Sequence, residues 1–167
     1  SLGDPPRILP TSLTGASLLT NASSDLSMAA EIKREIQTSD GVDLLCAFIK
    51  NSGIAVIRDQ LEYLREHGIP FRVITSTYCG ATDIQAINRL VDEFGAEVKV
   101  GYESRDTRLH AKAWLFKRNS GFDTAYIGSS NLSNSALIDG VEWNVRASRV
   151  STPEILAKFE AVFETYW

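Results

Sequence analysis

The sequence predicts an α/β fold with a mixed, largely parallel sheet, and three patterns carry that expectation. Apolar runs of strand length alternate with stretches whose apolar residues recur at helical spacing. The first units follow the order αβαβαβ, with connections that suit parallel strands covered by helices. Beyond them, two strand-like runs flank residues 118–122, whose Arg-Asn-Ser-Gly-Phe composition is that of a hairpin turn, so an antiparallel pair joins the same sheet.

The elements follow in chain order. Residues 1–22 are rich in Pro, Ser, Thr and Gly and read as an extended lead-in draped over a single domain spanning 23–167. Leu26, Ala29, Ile32 and Ile36 lie at helical spacing behind capping serines, predicting a helix over 23–37 that Ser39-Asp40-Gly41 ends. Residues 42–49 form a nearly continuous apolar run, as expected of a strand buried on both faces. Ile54, Ile57, Leu61 and Leu64 mark one amphipathic helix that stops at Gly68, with His67 placed to satisfy its terminal carbonyls. Residues 71–75 are a second strand. Thr82 and Gln85 form a capping box that opens a helix carrying Ile84, Ile87, Val91 and Phe94. A third strand at 97–100, the hairpin strands 109–117 and 124–127, a short helix over 131–138, a strand within 141–150 and a helix begun by Thr152-Pro153-Glu154 complete the domain.

Composition sets the class. The chain has 167 residues, 44% of them hydrophobic and 23% charged, enough to bury a core, and no apolar run approaches a membrane span. Two cysteines make no disulfide framework: Cys46 sits in an apolar run as a core residue, and Cys79 lies in a loop. With no signal-peptide pattern, a reducing cytoplasm is expected. The net charge of −4 does not advertise a nucleic-acid binder, but Arg105, Arg108, Lys112, Lys117 and Arg118 outnumber Glu103 and Asp106 within 102–120, which predicts a locally positive site.

Chemistry concentrates in two places. Within 109–116 the residues alternate, so His110 and Lys112 share a face about 6.5–7 Å apart along the backbone. The lysine arm can then bring its ammonium beside the imidazole to meet one anion, and a phosphate suits the pair. The turn Gly128-Ser129-Ser130-Asn131 adds backbone N–H groups, hydroxyls and an amide, all suited to phosphate oxygens. In open α/β sheets ligands gather beyond the carboxyl ends of strands, which nominates 48–53 and 75–83 as rims, with Tyr78 and Thr82 as contacts beside Arg108 and Ser130. Only His67 and His110 exist and no paired cysteines do, so no metal or other cofactor is expected.

His110-x-Lys112 followed by Gly128-Ser129-x-Asn131 resembles the His-Lys-Asp signature of the phospholipase D superfamily, whose members cut phosphodiester bonds in lipids and nucleic acids. The order of elements also matches that family's α/β/α sandwich. More narrowly, 109–116 with 124–133 and Glu142-Trp143-Asn144-Val145-Arg146 is similar to the amino-terminal nuclease-like domains of bacterial proteins that continue into a superfamily-two helicase. The resemblance implies that His110 attacks phosphorus to give a phosphohistidine, with Lys112, Ser129 and Asn131 holding the phosphoryl oxygens and Glu142 orienting a histidine that serves as acid and base. One departure stands out: the family pattern places an aspartate where this chain has Lys117, which reads as an altered turn.

The family's site uses two motif copies and the chain has one, so a two-fold homodimer with the site on its axis is expected. Three functions compete. The first is a metal-independent phosphodiesterase acting on DNA, linked to a downstream helicase domain in a DNA-processing or restriction protein. The second is a nucleic-acid-binding module that has lost the reaction. The third is a phospholipid-acting enzyme, ranked last for want of an amphipathic membrane stretch.

Overall fold

The computed structural model describes residues 12–21, 27–76, 83–101, 112–140 and 142–167. Seven strands form one sheet: β1 (Ser17–Leu19), β2 (Gly41–Leu45), β3 (Phe71–Ser76), β4 (Glu97–Gly101), β5 (Lys112–Lys117), β6 (Thr124–Gly128) and β7 (Asn144–Ser148). Their spatial order is β1-β7-β6-β5-β2-β3-β4. The α/β class and the mixed sheet hold, but the balance within it differs from expectation. Only β2–β3 and β3–β4 are parallel, while β2–β5, β5–β6, β6–β7 and β7–β1 are antiparallel. Everything after β4 returns by hairpin-type pairing rather than by helical crossover, so antiparallel pairs are the majority.

Side-chain alternation builds a core on each face. Val42 and Leu44 of β2, Phe71 and Val73 of β3, Trp114 and Phe116 of β5, and Tyr126 of β6 pack with α1 (Met28–Gln37), α2 (Asn51–Val56), α3 (Arg58–Glu66) and α4 (Ile84–Asp92). Phe71, Trp114 and Phe116 stack in series across that face, with centroids 6.2 and 5.7 Å apart. The opposite face carries α5 (Pro153–Tyr166), whose Leu156 and Phe163 meet Leu115, Ala125 and Ala147, and Leu45 and Ile74. The result is the sandwich that the family resemblance implied.

Several local expectations change in detail. The lead-in supplies β1, whose Leu18 pairs with Val145. Ser27 caps α1, its hydroxyl accepting from Ala30 N at 3.1 Å. The single helix expected between Ile54 and Gly68 is two, α2 and α3, jointed at Ile57, which has φ −115° and is fully buried. In α2 a Cβ on Gly53 would overlap the backbone of Leu132 and Ser133, so this short helix lies directly against another chain segment. Gly68, at φ +61°, ends α3, and His67 Nδ1 lies 2.9 Å from the Tyr63 carbonyl oxygen, as anticipated. Asp83 caps α4, its carboxylate accepting from Gln85 N at 2.9 Å, and Thr82 of the expected capping box lies outside the described residues. The short helix after Asn131 is a single π turn, Ser135–Asp139.

On the helical face a cluster of charges is buried between α1 and the antiparallel strands. Glu35 accepts from Arg118 Nη2 at 3.1 Å, from Arg146 Nη2 at 2.9 Å and from the Thr124 hydroxyl. Arg146, fully buried, also donates to the Tyr126 hydroxyl and to the carbonyls of Ser12 and Gly15, tying the segment before β1 to the core. Removing Glu35 would strand two guanidinium groups away from water. Glu35→Ala is therefore expected to lower the unfolding free energy by about 3–5 kcal/mol, read by urea denaturation; a loss no larger than that of an exposed Glu62→Ala control would contradict this account.

Candidate active site

At one end of the sheet, Lys112 pairs with Gly128 and Gly128 pairs with Asn144, so these three residues form a single cross-strand row on the helical face. The start of β5 lies beside the end of β2, where Ala113 pairs with Leu45. Lys112 thus stands beyond the carboxyl end of a parallel strand, where the sheet rule placed a ligand. Cys46, just past the end of β2, is a fully buried thiol on which the Lys112 charge acts. Burial pushes that thiol up to about 12, against the opposing pull of the Leu132 backbone, Thr75 and the Lys112 ammonium. Cys46 is thus a neutral core group at pH 7 and no nucleophile.

Gly128 is fixed by contact. A Cβ there would strike the carbonyl oxygen of Trp143 and come within 2.8 Å of Asn144 Cα, so only glycine lets β6 pass β7 this closely. The turn that follows is pinned residue by residue. Ser129 N donates to Trp143 O at 3.1 Å and its hydroxyl accepts from Trp143 N at 3.1 Å, extending the β6–β7 ladder by one step. The buried Ser130 hydroxyl accepts from Asn144 Nδ2 at 2.7 Å and donates to Ala136 O at 3.4 Å. Asn131 Oδ1 accepts from both Ala47 N and Phe48 N at 3.1 Å, which orients the amide and turns Nδ2 the other way. Leu132 then bridges to Ile49, with Lys50 N donating to Leu132 O at 2.9 Å.

Over this seam lies a cavity of about 370 Å³ lined by Phe48, Lys50, Ser52, Asn131, Ser133, Ser135, Ala136 and Glu142. It brings Asn131 and Glu142 together, and its wall at 48–52 lies in one of the two rims expected from the strand order. The exposed Ser129 and the buried Ser130 are not among its lining residues. His110, Arg108, Tyr78 and Thr82 lie outside the described residues, as do Arg105 and Cys79. Among the described residues no group of three or more His, Cys, Asp or Glu could hold a metal ion, and no helix is long and apolar enough to cross a membrane.

Two of the five cations counted toward a positive site are engaged elsewhere. Lys117 Nζ pairs with Asp43 at 3.1 Å on the α5 face, and Arg118 is buried against Glu35, both at the far end of β5 from Lys112. Asp123 closes the hairpin turn there, accepting from Arg118 N at 2.7 Å and pairing with Arg149. The Lys117 departure thus falls in a turn with its own carboxylate, well away from the cavity. Phe48, Lys50 and Ser52 were not singled out by the sequence as individual residues; the rule for strand ends was the one signal that pointed to their segment.

A two-faced α/β sandwich with a lysine, a Gly-Ser-Ser-Asn turn and a glutamate gathered at one sheet end defines a phosphodiesterase-type fold. Residues 21–167 match the family described as cardiolipin synthase, PLD-like domain, and the chain belongs to that family, within the phospholipase D superfamily. No curated protein matches the sequence. Among solved structures the chain is similar to Nuc from Salmonella typhimurium, a phospholipase D family member, at 15% identity and a TM-score of 0.67, covering 92% of this chain and 95% of that one. It is similar to NucT from Helicobacter pylori at 14% identity and a TM-score of 0.66, covering 90% and 94%. Yeast tyrosyl-DNA phosphodiesterase aligns at 11% identity and a TM-score of 0.52, over 80% of this chain and 32% of that one.

The tight crossing at Gly128 makes a direct test of the site's construction. Gly128→Ala is expected to cost about 2–4 kcal/mol of stability and to disturb the turn through Asn131. Thermal denaturation and amide hydrogen exchange at Ala47 and Phe48 report these effects separately; unchanged protection at both amides would show that the crossing does not position the turn.

Proposed function

We propose that this chain is a metal-independent phosphodiesterase acting on nucleic acid, DNA in the first instance, with His110 as the nucleophile. The observation that carries the reading is the shared sheet end: Lys112 enters it from β5, in register with Gly128, and Asn131 and Glu142 line one cavity beside it. The His-x-Lys spacing places His110 two residues before Lys112 in the same chain segment. The names of the relatives support the substrate class, since one of them is a tyrosyl-DNA phosphodiesterase.

The steps follow from phosphoryl-transfer chemistry. A ring nitrogen of His110 attacks phosphorus; a P–N bond forms as the P–O bond to the leaving strand breaks, and a second histidine gives that oxygen its proton. Water then loses a proton to the same histidine, attacks phosphorus and breaks the P–N bond. The Lys112 ammonium and Asn131 Nδ2 stabilise charge on the phosphoryl oxygens, while Glu142 orients an imidazole. Ser129 and Ser130 act through the turn they brace. Because the chain has one motif, the second histidine is assigned to His110 of a partner subunit across a two-fold axis. The resemblance to helicase-linked domains supports a role in a DNA-processing or restriction protein.

The competing reading is a binding module without activity, which Lys117 in place of the family's aspartate suggests. Its pairing with Asp43 at the opposite end of β5 favours the active reading. With wild type and His110→Ala compared on single- and double-stranded DNA in EDTA, cleavage should fall by on the order of 10³ or more while binding is retained. Equal cleavage by both proteins would remove His110 from the mechanism, binding without cleavage by either would favour the module, and head-group release from phospholipid vesicles would favour a lipid substrate. Light scattering should give the mass of a dimer; a fully active monomer would overturn the shared site.

A further inference from the structure

The cavity shared by Asn131 and Glu142 contains side chains that the motif does not supply. Phe48 and Lys50 line it with Ser52, and both are held by the same seam that orients Asn131. Phe48 N donates to Asn131 Oδ1, Phe48 O accepts from Leu132 N at 3.3 Å, and Lys50 N donates to Leu132 O. Between them Ile49 is fully buried, whereas Phe48 is half-buried and Lys50 is exposed. The main chain that carries the ring and the lysine stem is therefore fixed relative to the Asn131 amide. The rest of the lining is mostly polar. Ser52 Oγ accepts from Asn134 N at 3.2 Å and so retains a proton to donate, while Ser133 Oγ accepts from Ala136 N at 3.2 Å and shares a hydrogen bond with Ser135 Oγ at 3.4 Å.

A half-exposed phenyl ring in a polar cavity, beside a lysine and hydroxyl donors, matches the two parts of a nucleotide: a flat apolar base and an anionic phosphate. We propose that Phe48, Lys50 and Ser52 form a subsite for the nucleotide flanking the scissile phosphate, with its base stacked on Phe48 and the next phosphate held by Lys50 and Ser52. Such a subsite selects single-stranded nucleic acid, and it rests on the phosphodiesterase reading of the adjoining site. Two physical arguments give the selectivity. A base offers its face to a protein ring only when it is unstacked from its neighbours, which a duplex resists. Duplex binding also draws on many phosphate contacts, whereas this chain carries a net charge of −4 and the cavity lining holds one lysine. Arg72, Arg118, Arg146 and Arg149 are already paired with Asp43, Glu35 and Asp123. Stacking supplies what the charge does not.

The test is fluorescence anisotropy in EDTA, in the His110→Ala background so that nothing is cut. The probes are a labelled single strand of about 12 nucleotides, as DNA and as RNA, and the matching DNA duplex. Phe48→Ala should weaken single-strand binding by about tenfold and duplex binding by less than about twofold, with Phe48→Tyr restoring the loss. Lys50→Gln should reduce the slope of log Kd against log salt by about 0.7 on the single strand. Equal losses on strand and duplex, or failure of Phe48→Tyr to restore binding in a variant that melts like its parent, would overturn the subsite. The DNA and RNA arms decide which sugar it accepts. If these differences hold while wild type cuts no strand, the phosphodiesterase reading fails and the stacking subsite stands. If wild type cuts and Phe48→Ala binds normally, the subsite fails alone. Absence of all binding overturns both.

Discussion

The side-chain amide of Asn131 ties the chain leaving β2 to the turn that follows β6. By accepting from Ala47 N and Phe48 N, it satisfies main-chain donors just past the end of β2, where the strand ladder has run out. Without it the segment 46–50, which belongs to the parallel half of the sheet, and the turn 128–132, which belongs to the antiparallel half, would meet only through apolar contact and the Ile49–Leu132 bridge. Its other consequence is chemical. An amide whose oxygen is committed to two donors has one orientation, so the nitrogen becomes a donor of fixed direction beside the cavity. The oxygen that pins these two segments thereby sets the polarity of the amide at the site.

Charge in this protein is handled by burial and pairing rather than by surface excess. Glu35 lies between Arg118 and Arg146, and Asp43 between Arg72 and Lys117. The second pairing sits on the α5 face, where Arg72 also stacks over Phe163 and Trp167 and reaches Glu164. That environment pushes the Arg72 guanidinium upward, chiefly through its hydrogen bonds to Asp43, and the same arginine draws the exposed Glu164 carboxyl down. Counting cations along a strand overstates the field at either end, because alternate residues face opposite layers and a strand of six residues spans the sheet. Lys112 and Lys117 are five residues apart, so they point to opposite faces and stand at opposite ends.

How much of this could be read from the sequence follows from the range of the interactions involved. The strands and helices carry their own periodicity, and Ser27 and Gly68 sit where local chemistry demands them, so these elements were legible. The joint at Ile57 was not, and α2 before it packs through Gly53 against Leu132, a residue that it meets only in the folded chain. The strand β1 is three residues long and gains its structure from β7 and the Arg146 guanidinium, again at long range. The antiparallel majority was missed for a related reason: the sequence shows that strands exist but not which edge of a sheet each one joins. Within the site, Lys112 and Asn131 could be nominated by residue type and spacing, and Glu142 by the family resemblance. Phe48 and Lys50 could not, since an aromatic and a lysine at the end of an apolar run look like strand and surface until the cavity is formed over them.

The arrangement of support around the turn bears on how such a site can act with few charges. Ser129 is committed to Trp143, Ser130 to Asn144 and Ala136, and the Asn131 oxygen to Ala47 and Phe48, so the atoms of the turn that do not face the cavity are already satisfied by partners within the fold. Donors held in this way need little reorganisation when negative charge develops in front of them, and in a concave, partly desolvated space each is worth more than it would be in water. On the proposed phosphodiesterase reading, a domain of net charge −4 would stabilise a phosphoryl transition state chiefly through the direction and rigidity of a few dipoles together with Lys112. The cost falls on stability: close approaches such as Gly128 against Trp143, and buried charges such as Glu35, leave little tolerance for substitution in the strands that hold the turn in place.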